Sequence, residues 1–247
     1  MLLLALARGD ALPRNRAGAA GLALGALQLG IAYALFEGFA RAPVGLVVLL
    51  FFVYPLIVTV AAGLLFGEEL GARRLIVLAL GTIGVALTVG VPEDASTAGI
   101  LLGLAAGVCV ACVVLGARHL LTSSELSPIA LSGLMFTSPV FVLIPWAAVR
   151  GVDLELGVAA WGAAAGAIVV SGVIPIALFY TGVKLVGAGA ASLLGVGEPL
   201  AGVLLAYAVL GESLSALQLF GGALIVGAVM LLSVQRLRSE RLGLLSS

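Results

Sequence analysis

Continuous apolar runs fill most of this sequence, and they constrain its fold more than any other feature. Lipid offers no hydrogen-bonding partner to backbone N–H and C=O groups, so a chain that crosses a bilayer forms either helices or a closed barrel. Barrel strands alternate apolar and polar residues, whereas these runs are unbroken for about 20 residues, the length of a membrane-spanning helix. The sequence therefore predicts an all-α, polytopic membrane protein. Its eight predicted transmembrane helices are Ala17–Phe39, Val44–Phe66, Leu75–Gly90, Ala98–Ala117, Ile129–Val149, Gly157–Lys184, Ala190–Leu210 and Ala216–Gln235.

The composition agrees with a membrane protein. Of the 247 residues, 62% are hydrophobic and 10% are charged, whereas about a quarter of a soluble domain is charged. The mean hydropathy is +1.28. The formal net charge of +0 argues against nucleic acid as a partner. Cys109 and Cys112 lie in an apolar run, so neither a disulfide framework nor a redox site is expected. No cluster has metal-ligand spacing, so we expect no cofactor and no metal site.

A long repeat relates two parts of the chain. Residues 33–80 recur without a gap at residues 177–224, an offset of 144. Matches of Ala and Leu mean little in a chain so rich in both, but a matched proline and a matched Gly-Glu pair are informative. Duplicated membrane halves are typical of secondary transporters. The informative matches are Pro55 with Pro199 and Gly67-Glu68 with Gly211-Glu212.

The repeat predicts how the chain is organised. We expect a first repeat at residues 1–90, a second at 98–235 and a cytoplasmic tail at 236–247. The first-copy counterparts of the two helices that open the second repeat would fall almost wholly before residue 1. Met1–Ala7 is apolar but too short to span a bilayer, so it looks like the last turns of such a helix. The complete design would have two five-helix halves, of which this chain carries eight helices and an N-terminal stub.

Basic residues are distributed unequally between the two membrane faces if the loops alternate across the bilayer. Since the face rich in Lys and Arg is normally cytoplasmic, we expect a multi-pass protein of the cell membrane with its C-terminus in the cytoplasm. An odd number of helices per repeat then inverts the second copy, with a substrate site near the midplane. The face poor in Lys and Arg receives Arg41 and Arg150. The face rich in them receives Arg8, Arg14, Arg16, Arg73, Arg74, Arg118, Lys184, Arg236, Arg238 and Arg241.

Glu198 is the sharpest candidate for a functional residue. It lies about nine residues into its predicted helix, roughly 13 Å from the membrane surface. A carboxylate at that depth is costly and usually functional, so Glu198 could bind a coupling proton or a substrate amine. The alternative is a hydrogen-bonded Glu198 that only fixes helix packing.

Tyr54 occupies the position equivalent to Glu198 in the first repeat, and each residue directly precedes a proline, Pro55 or Pro199. A proline inside a helix frees a backbone carbonyl and can kink the helix. We expect Tyr54 and Glu198 to face one cavity across a pseudo-two-fold axis, although Tyr54 could equally be an ordinary packing aromatic.

Other polar residues lie in the two helices that flank this pair. They could line the same cavity as substrate-binding groups, and for each one alone a packing role is the simpler explanation. They are Gln28, Tyr33, Ser171 and Tyr180, with Pro175 as a third helix-kinking proline.

Several further residues fit structural roles. Glu37 can pair with Arg41 one helical turn later. Glu68 and Glu212 sit at loop turns, where helix termination or capping explains them better than catalysis. A ladder of small residues permits close approach of helices in lipid, and it comprises Gly99, Gly103 and Gly107, with Gly21 and Gly25 as a second example.

Two stretches resemble the EamA family of the drug/metabolite transporter superfamily. They are Gly197-Glu198-Pro199 followed by a helix that ends in Leu210-Gly211-Glu212-Ser213-Leu214, and Tyr54-Pro55 followed by Phe66-Gly67-Glu68-Glu69-Leu70. The resemblance extends from about Ala17 to Gln235. It implies a carrier of ten helices in two inverted repeats, with both termini cytoplasmic, that moves amino acids, nucleosides, drugs or other small metabolites, usually outward.

The resemblance also assigns helices to a central cavity and leaves the last helix of each half at the periphery. The family's first helix is absent here and its second is only the stub, which departs from the family pattern. The helices assigned to the cavity are Ala17–Phe39, Val44–Phe66, Gly157–Lys184 and Ala190–Leu210.

We therefore expect a secondary transporter rather than an enzyme. It would move a small-molecule substrate across the lipid bilayer by alternating access, and a proton is a candidate coupling ion. Two other classes stay open: a non-transporting fragment that assembles with another membrane protein, and a membrane-embedded enzyme that acts on lipids. Such an enzyme needs a cluster of catalytic groups at one depth, and the sequence offers one deep acid. Lipid-linked sugars are a further substrate class for a transporter.

Overall fold

The computed structural model of the chain describes residues 5, 16–68, 71–89, 96–151, 157–205, 208 and 215–241. Every element in this described part is helical. We number the α-helices α1 to α12 in chain order, and a π-helical segment at Ile168–Val173 joins α8 to α9. The helices are Arg16–Phe39, Val44–Phe51, Tyr54–Phe66, Ala72–Val89, Thr97–Ser123, Pro128–Thr137, Val140–Arg150, Val158–Ala167, Ile174–Val186, Ala188–Gly195, Glu198–Leu205 and Ala216–Arg241.

These elements group into eight helical segments, because α2–α3, α6–α7, α8–α9 and α10–α11 are each one segment with an internal interruption. All eight coincide with predicted helices, although their ends differ by a few residues. Five segments are long and apolar enough to cross a membrane, so the protein is a multi-pass membrane protein. They are Arg16–Phe39, Val44–Phe66, Thr97–Ser123, Pro128–Arg150 and Val158–Val186.

Local chemistry explains where several helices begin and end. The Ser127 hydroxyl accepts a hydrogen bond from the backbone N–H of Ala130 at 3.0 Å, and Pro128 follows as the first residue of α6. A capping serine before a proline is a strong start signal. At the other end of a helix, α3 stops at Gly67, whose φ of 66° is left-handed and favours glycine.

The chain divides into two compact units. Unit 1 contains residues 1–30 and 113–187, and unit 2 contains residues 31–112 and 188–247. The boundaries fall inside α1 and α5, so each of these helices contributes residues to both units.

Unit 2 is built around α4, which packs extensively against α12 and also contacts α10. Its buried cluster comprises Val77, Leu78, Leu193 and Ala228. Glycines set the close approach of α5 to α2, as predicted from their spacing. A Cβ on Gly103 would lie 3.1 Å from the Leu50 Cβ, and one on Gly107 would lie 2.9 Å from the Phe51 carbonyl oxygen.

Unit 1 contains the second glycine pair, whose packing role is also confirmed. Gly21 of α1 faces Leu134 of α6, and Gly25 faces the backbone of Met135. In the same unit the Arg118 guanidinium donates hydrogen bonds to the carbonyl oxygens of Val183 and Lys184, both at 3.1 Å. The Val183 carbonyl also accepts a hydrogen bond from the backbone N–H of Gly187 at 3.2 Å, and the Arg118 cation adds charged donors at the end of α9, where the helix dipole favours positive charge.

One predicted helix end was wrong, and two further predicted features lie outside the described residues. The helix predicted to end at Ala117 continues to Ser123, and the hydroxyls of Thr122 and Ser123 donate to the carbonyls of Arg118 and His119 in its last turns. The predicted stub Met1–Ala7 lies outside the described residues except for Ala5, as does the Gly211-Glu212 pair.

Candidate functional site

The membrane-spanning helical segment Val44–Phe66 is interrupted at Phe52 and Val53, which separate α2 from α3. Pro55, which lacks a backbone N–H, stands in the first turn of α3. The Phe52 N–H donates to the Val48 carbonyl at 2.9 Å, as in an α-helix. The Val53 N–H instead donates to the Leu50 carbonyl, three rather than four residues earlier, at 3.2 Å. The helix is thus re-started rather than continued, and Tyr54 is the first residue of its second half.

The second interruption separates α10 from α11 at Val196 and Gly197, positions that correspond to Phe52 and Val53 through the 144-residue offset. Here the Val196 N–H donates to Leu193 and the Gly197 N–H to Leu194, at 3.3 and 3.1 Å. Both interruptions therefore occur at equivalent residues of the repeat.

Glu198 does not lie in the middle of one continuous helix Ala190–Leu210, as predicted. It is the first residue of α11, because Pro199 cannot donate the backbone hydrogen bond that would continue α10.

Tyr54 is buried, with 5% of its surface exposed, and its hydroxyl is directed at α10. A Cβ added to Gly195 would lie 2.5 Å from the Tyr54 Oη, so a glycine is required opposite this hydroxyl. The Tyr54 ring also packs against the rings of Phe51 and Phe52, with centroids 5.5 and 6.0 Å away. Tyr54 was predicted from the sequence as a site residue, whereas its contact with Gly195 was not predicted.

Glu198 and Tyr54 both belong to unit 2, and each begins a helix after an interruption. The Glu198 side chain is exposed at the start of α11. One buried phenol and one exposed carboxylate, both at helix interruptions of unit 2, can bind a cationic or amine group by hydrogen bonding and charge.

The other predicted binding residues have different surroundings. Tyr33 also belongs to unit 2 and is 65% exposed. Gln28 and Tyr180 belong to unit 1. Gln28 lines a small pocket with Met135, Phe136 and Ile176, whereas Tyr180 is buried against the Phe179 ring.

Ser171 lies in the π-helical segment, an irregularity that was not predicted from the sequence. Its hydroxyl donates to the Ala167 carbonyl at 2.6 Å, and Pro175 follows in the first turn of α9. The equivalent region of the first repeat is a regular part of α1. Single π-helical turns often mark functional positions, and the proline was the one signal for it in the sequence.

No group of three or more His, Cys, Asp or Glu side chains in the described ranges could hold a metal ion. Among the predicted structural contacts, the Glu37–Arg41 ion pair is present.

The sequence profile of the EamA-like transporter family matches two stretches of this chain, residues 1–90 and 97–234. Together they cover nearly the whole sequence.

Two curated relatives are similar to this chain. An uncharacterised transporter from Archaeoglobus fulgidus is 31% identical over 188 residues, which are 76% of this chain and 66% of that protein. An uncharacterised transporter from Synechocystis sp. is 26% identical over 210 residues, 82% of this chain and 62% of that protein. The matched region thus spans less than two thirds of either relative.

A solved structure has a similar fold. It is a protein crystal structure that superposes with a TM-score of 0.76 at 18% identity, covering 94% of this chain and 83% of that one. At this identity the likeness concerns the fold alone.

Proposed function

Because the chain belongs to the EamA-like transporter family, we propose that it is a secondary transporter that moves small organic metabolites, amino acids or drugs among them, by alternating access. The family is one of transporters rather than enzymes, which agrees with the expectation from the sequence. Outward movement, the direction implied by the resemblance, is part of this proposal.

The observation that carries the proposal is the pair of helix interruptions at equivalent positions of the repeat. Transporters commonly bind substrates where membrane helices are interrupted, because the half-helix ends present polar backbone groups and partial charges to the ligand. In this chain each interruption is followed by a residue with a polar side chain, Tyr54 in one copy and Glu198 in the other. The coincidence of break, polar residue and proline in both copies supports a ligand site here.

Glu198 has the central role in the proposal. Its carboxylate binds a substrate amine, or a proton whose release is coupled to substrate binding. Tyr54 contributes a hydroxyl that can donate a hydrogen bond to the bound ligand or to the carboxylate. The favoured substrates are therefore small molecules with an amine, such as amino acids and amine-bearing drugs. Roles for Gln28, Tyr33 and Ser171 in binding stay predictions, as does one for Tyr180.

The proposal includes an architecture and an orientation. We propose two inverted repeats, at residues 1–90 and 98–235, with the face rich in Lys and Arg in the cytoplasm. The strong asymmetry of basic residues supports this orientation.

Flux measurements in proteoliposomes test the function. The purified full chain is reconstituted, and radiolabelled amino acids and amine-bearing drugs are screened with and without an imposed pH gradient. We expect flux of at least one compound, reduced by about tenfold or more in Glu198→Gln, because a neutral amide cannot replace a charged hydrogen-bonding partner.

Glu37→Gln is the matched control, since it removes a carboxylate from an exposed ion pair elsewhere on unit 2. It should transport like the wild type. Equal flux in Glu198→Gln and wild type would remove Glu198 from the mechanism, and a folded protein that moves none of these compounds would contradict the proposed substrate class.

A further inference from the structure

Glu68 makes a contact that the transport site described above does not use. Its two carboxylate oxygens accept hydrogen bonds from the backbone N–H groups of Ala188 and Gly189, at 2.8 and 3.1 Å. These are the first two residues of α10, so Glu68 caps a helix 120 residues away in the sequence. The Arg74 guanidinium lies 3.6 Å from the same carboxylate. We call this group of Glu68, Arg74 and the two amides the latch.

The latch closes one end of a seam between α3 and α10, which pack along each other within unit 2. Gly189 faces Thr59 in this seam, and Gly195 faces Tyr54 at its other end. The two helices therefore run antiparallel. By helix geometry Gly189 and Gly195 are roughly 9 Å apart along α10, so the seam leads from the proposed ligand site near Tyr54 to the start of α10.

The seam is closely packed at the latch. A Cβ on Gly189 would lie 3.0 Å from a Glu68 oxygen and 3.5 Å from the Thr59 Cα. Ser192, also fully buried, bonds to the Gly189 carbonyl at 2.9 Å. These contacts close the seam at the latch.

One buried polar atom beside the latch, the Thr59 hydroxyl oxygen, has no hydrogen-bond partner within the part of the chain that the structure describes, and Thr59 itself is 0% exposed. Buried polar atoms in permanent contacts are nearly always satisfied, so this exception calls for an explanation. A seam that opens during the working cycle supplies one, because water or a ligand would then reach the hydroxyl.

We propose that Glu68 and Arg74 form a gating latch that holds the α3–α10 seam closed, and that the seam opens when the carboxylate leaves the amides of Ala188 and Gly189. The inference rests on the proposed function, since a gate has meaning only in a transporter. Both residues are positioning residues: they control access to the site near Tyr54 and do not bind the substrate.

Accessibility of a buried thiol tests the latch without any need for a substrate. Cys109 and Cys112 are replaced by serine in the full chain, and Thr59→Cys places a reporter thiol inside the seam. Membrane vesicles of both orientations are treated with a membrane-impermeant maleimide. The labelling rate of the reporter should be low with the latch intact and about tenfold higher in Glu68→Gln, which loses a charged acceptor of two hydrogen bonds.

Arg73→Gln serves as the control, because it removes the neighbouring positive charge and leaves the latch residues in place. Its reporter should stay protected. Gly189→Ala is a second latch variant, which keeps the carboxylate but pushes it away with a methyl group, and it should raise labelling as well. If Glu68→Gln does not fold, the labelling of Gly189→Ala tests the latch in its place.

Unchanged protection of the thiol in folded Glu68→Gln, or in Gly189→Ala when the former is not recovered, overturns the proposal. A loss of thermal stability with the thiol still protected would mean a purely structural cap, which also overturns it. If labelling rises as expected while no compound is transported, the latch is supported and the proposed substrate class fails instead.

Discussion

The contact between Gly195 and Tyr54 gives the sharpest test of the proposed site's geometry. A methyl group on Gly195 would lie 2.5 Å from the Tyr54 Oη but 3.8 Å from the Cζ that carries it. The first distance is a severe overlap, whereas the second is an ordinary van der Waals contact. Gly195→Ala should therefore clash with one atom, the hydroxyl oxygen, on a side chain that the Phe51 and Phe52 rings hold in place.

The expected magnitude follows from two opposing effects. Overpacking of a buried position costs about 1–3 kcal/mol. Alanine gains up to about 1 kcal/mol of helix propensity over glycine, less here because Gly195 is the last residue of α10. We expect Gly195→Ala to lower the free energy of unfolding by about 1–2 kcal/mol. Tyr54→Phe removes the overlapping oxygen, so the double variant should be no less stable than Tyr54→Phe alone.

Unfolding titrations with sodium dodecyl sulfate in mixed micelles can measure this double-mutant cycle. The predicted coupling between the two substitutions is stabilising and about 1 kcal/mol or larger. Gly227→Ala is the matched control, since a Cβ there meets nothing within 4 Å, and it should cost nothing. Strictly additive effects of Gly195→Ala and Tyr54→Phe would refute the contact.

Other predictions concern packing and capping. Arg118→Gln should lower the free energy of unfolding by about 1–3 kcal/mol in the same titration, because the α9 carbonyls lose charged donors; a loss below about 0.3 kcal/mol would contradict that role. Gly107→Ala should cost about 1–3 kcal/mol, since its methyl would lie 2.9 Å from a backbone oxygen that cannot rotate away; a stability equal to that of Gly162→Ala, which faces open space, would argue against the α5–α2 contact. Glu37→Gln should change stability by no more than about 0.5 kcal/mol, since its ion pair is exposed, and a larger loss would show that the pair is structurally important.

Hydropathy predicted the helical segments well because a long apolar run is a local property of the sequence. In the described part of the chain five of the eight segments are also long and apolar enough to cross a membrane, and the other three predicted spans do not reach that length and hydropathy. Glycines at every fourth residue likewise predicted packing surfaces, since in a helix they fall on one side. The Glu37–Arg41 pair is equally local. In each case the information lies within one or two helical turns.

Contacts between distant residues were less predictable. Glu68 was expected at a helix terminus, but the helix it caps begins at Ala188, and only tertiary packing brings the two together. The Tyr54–Gly195 contact is of the same kind. The prolines indicated that helices would be disturbed, yet not that α10 would stop and α11 begin at Glu198, because a proline can either kink a helix or end it.

Chemical modification of Glu198 tests the central claim most directly, namely that its carboxylate at the start of α11 engages the transported ligand. Dicyclohexylcarbodiimide reacts with protonated carboxyl groups within membranes, and mass spectrometry of the reconstituted chain identifies the modified residue. We predict that Glu198 is modified, that flux falls in proportion, and that saturating substrate slows the modification. Full modification of Glu198 with flux unchanged, or a rate that substrate does not alter, would contradict the claim.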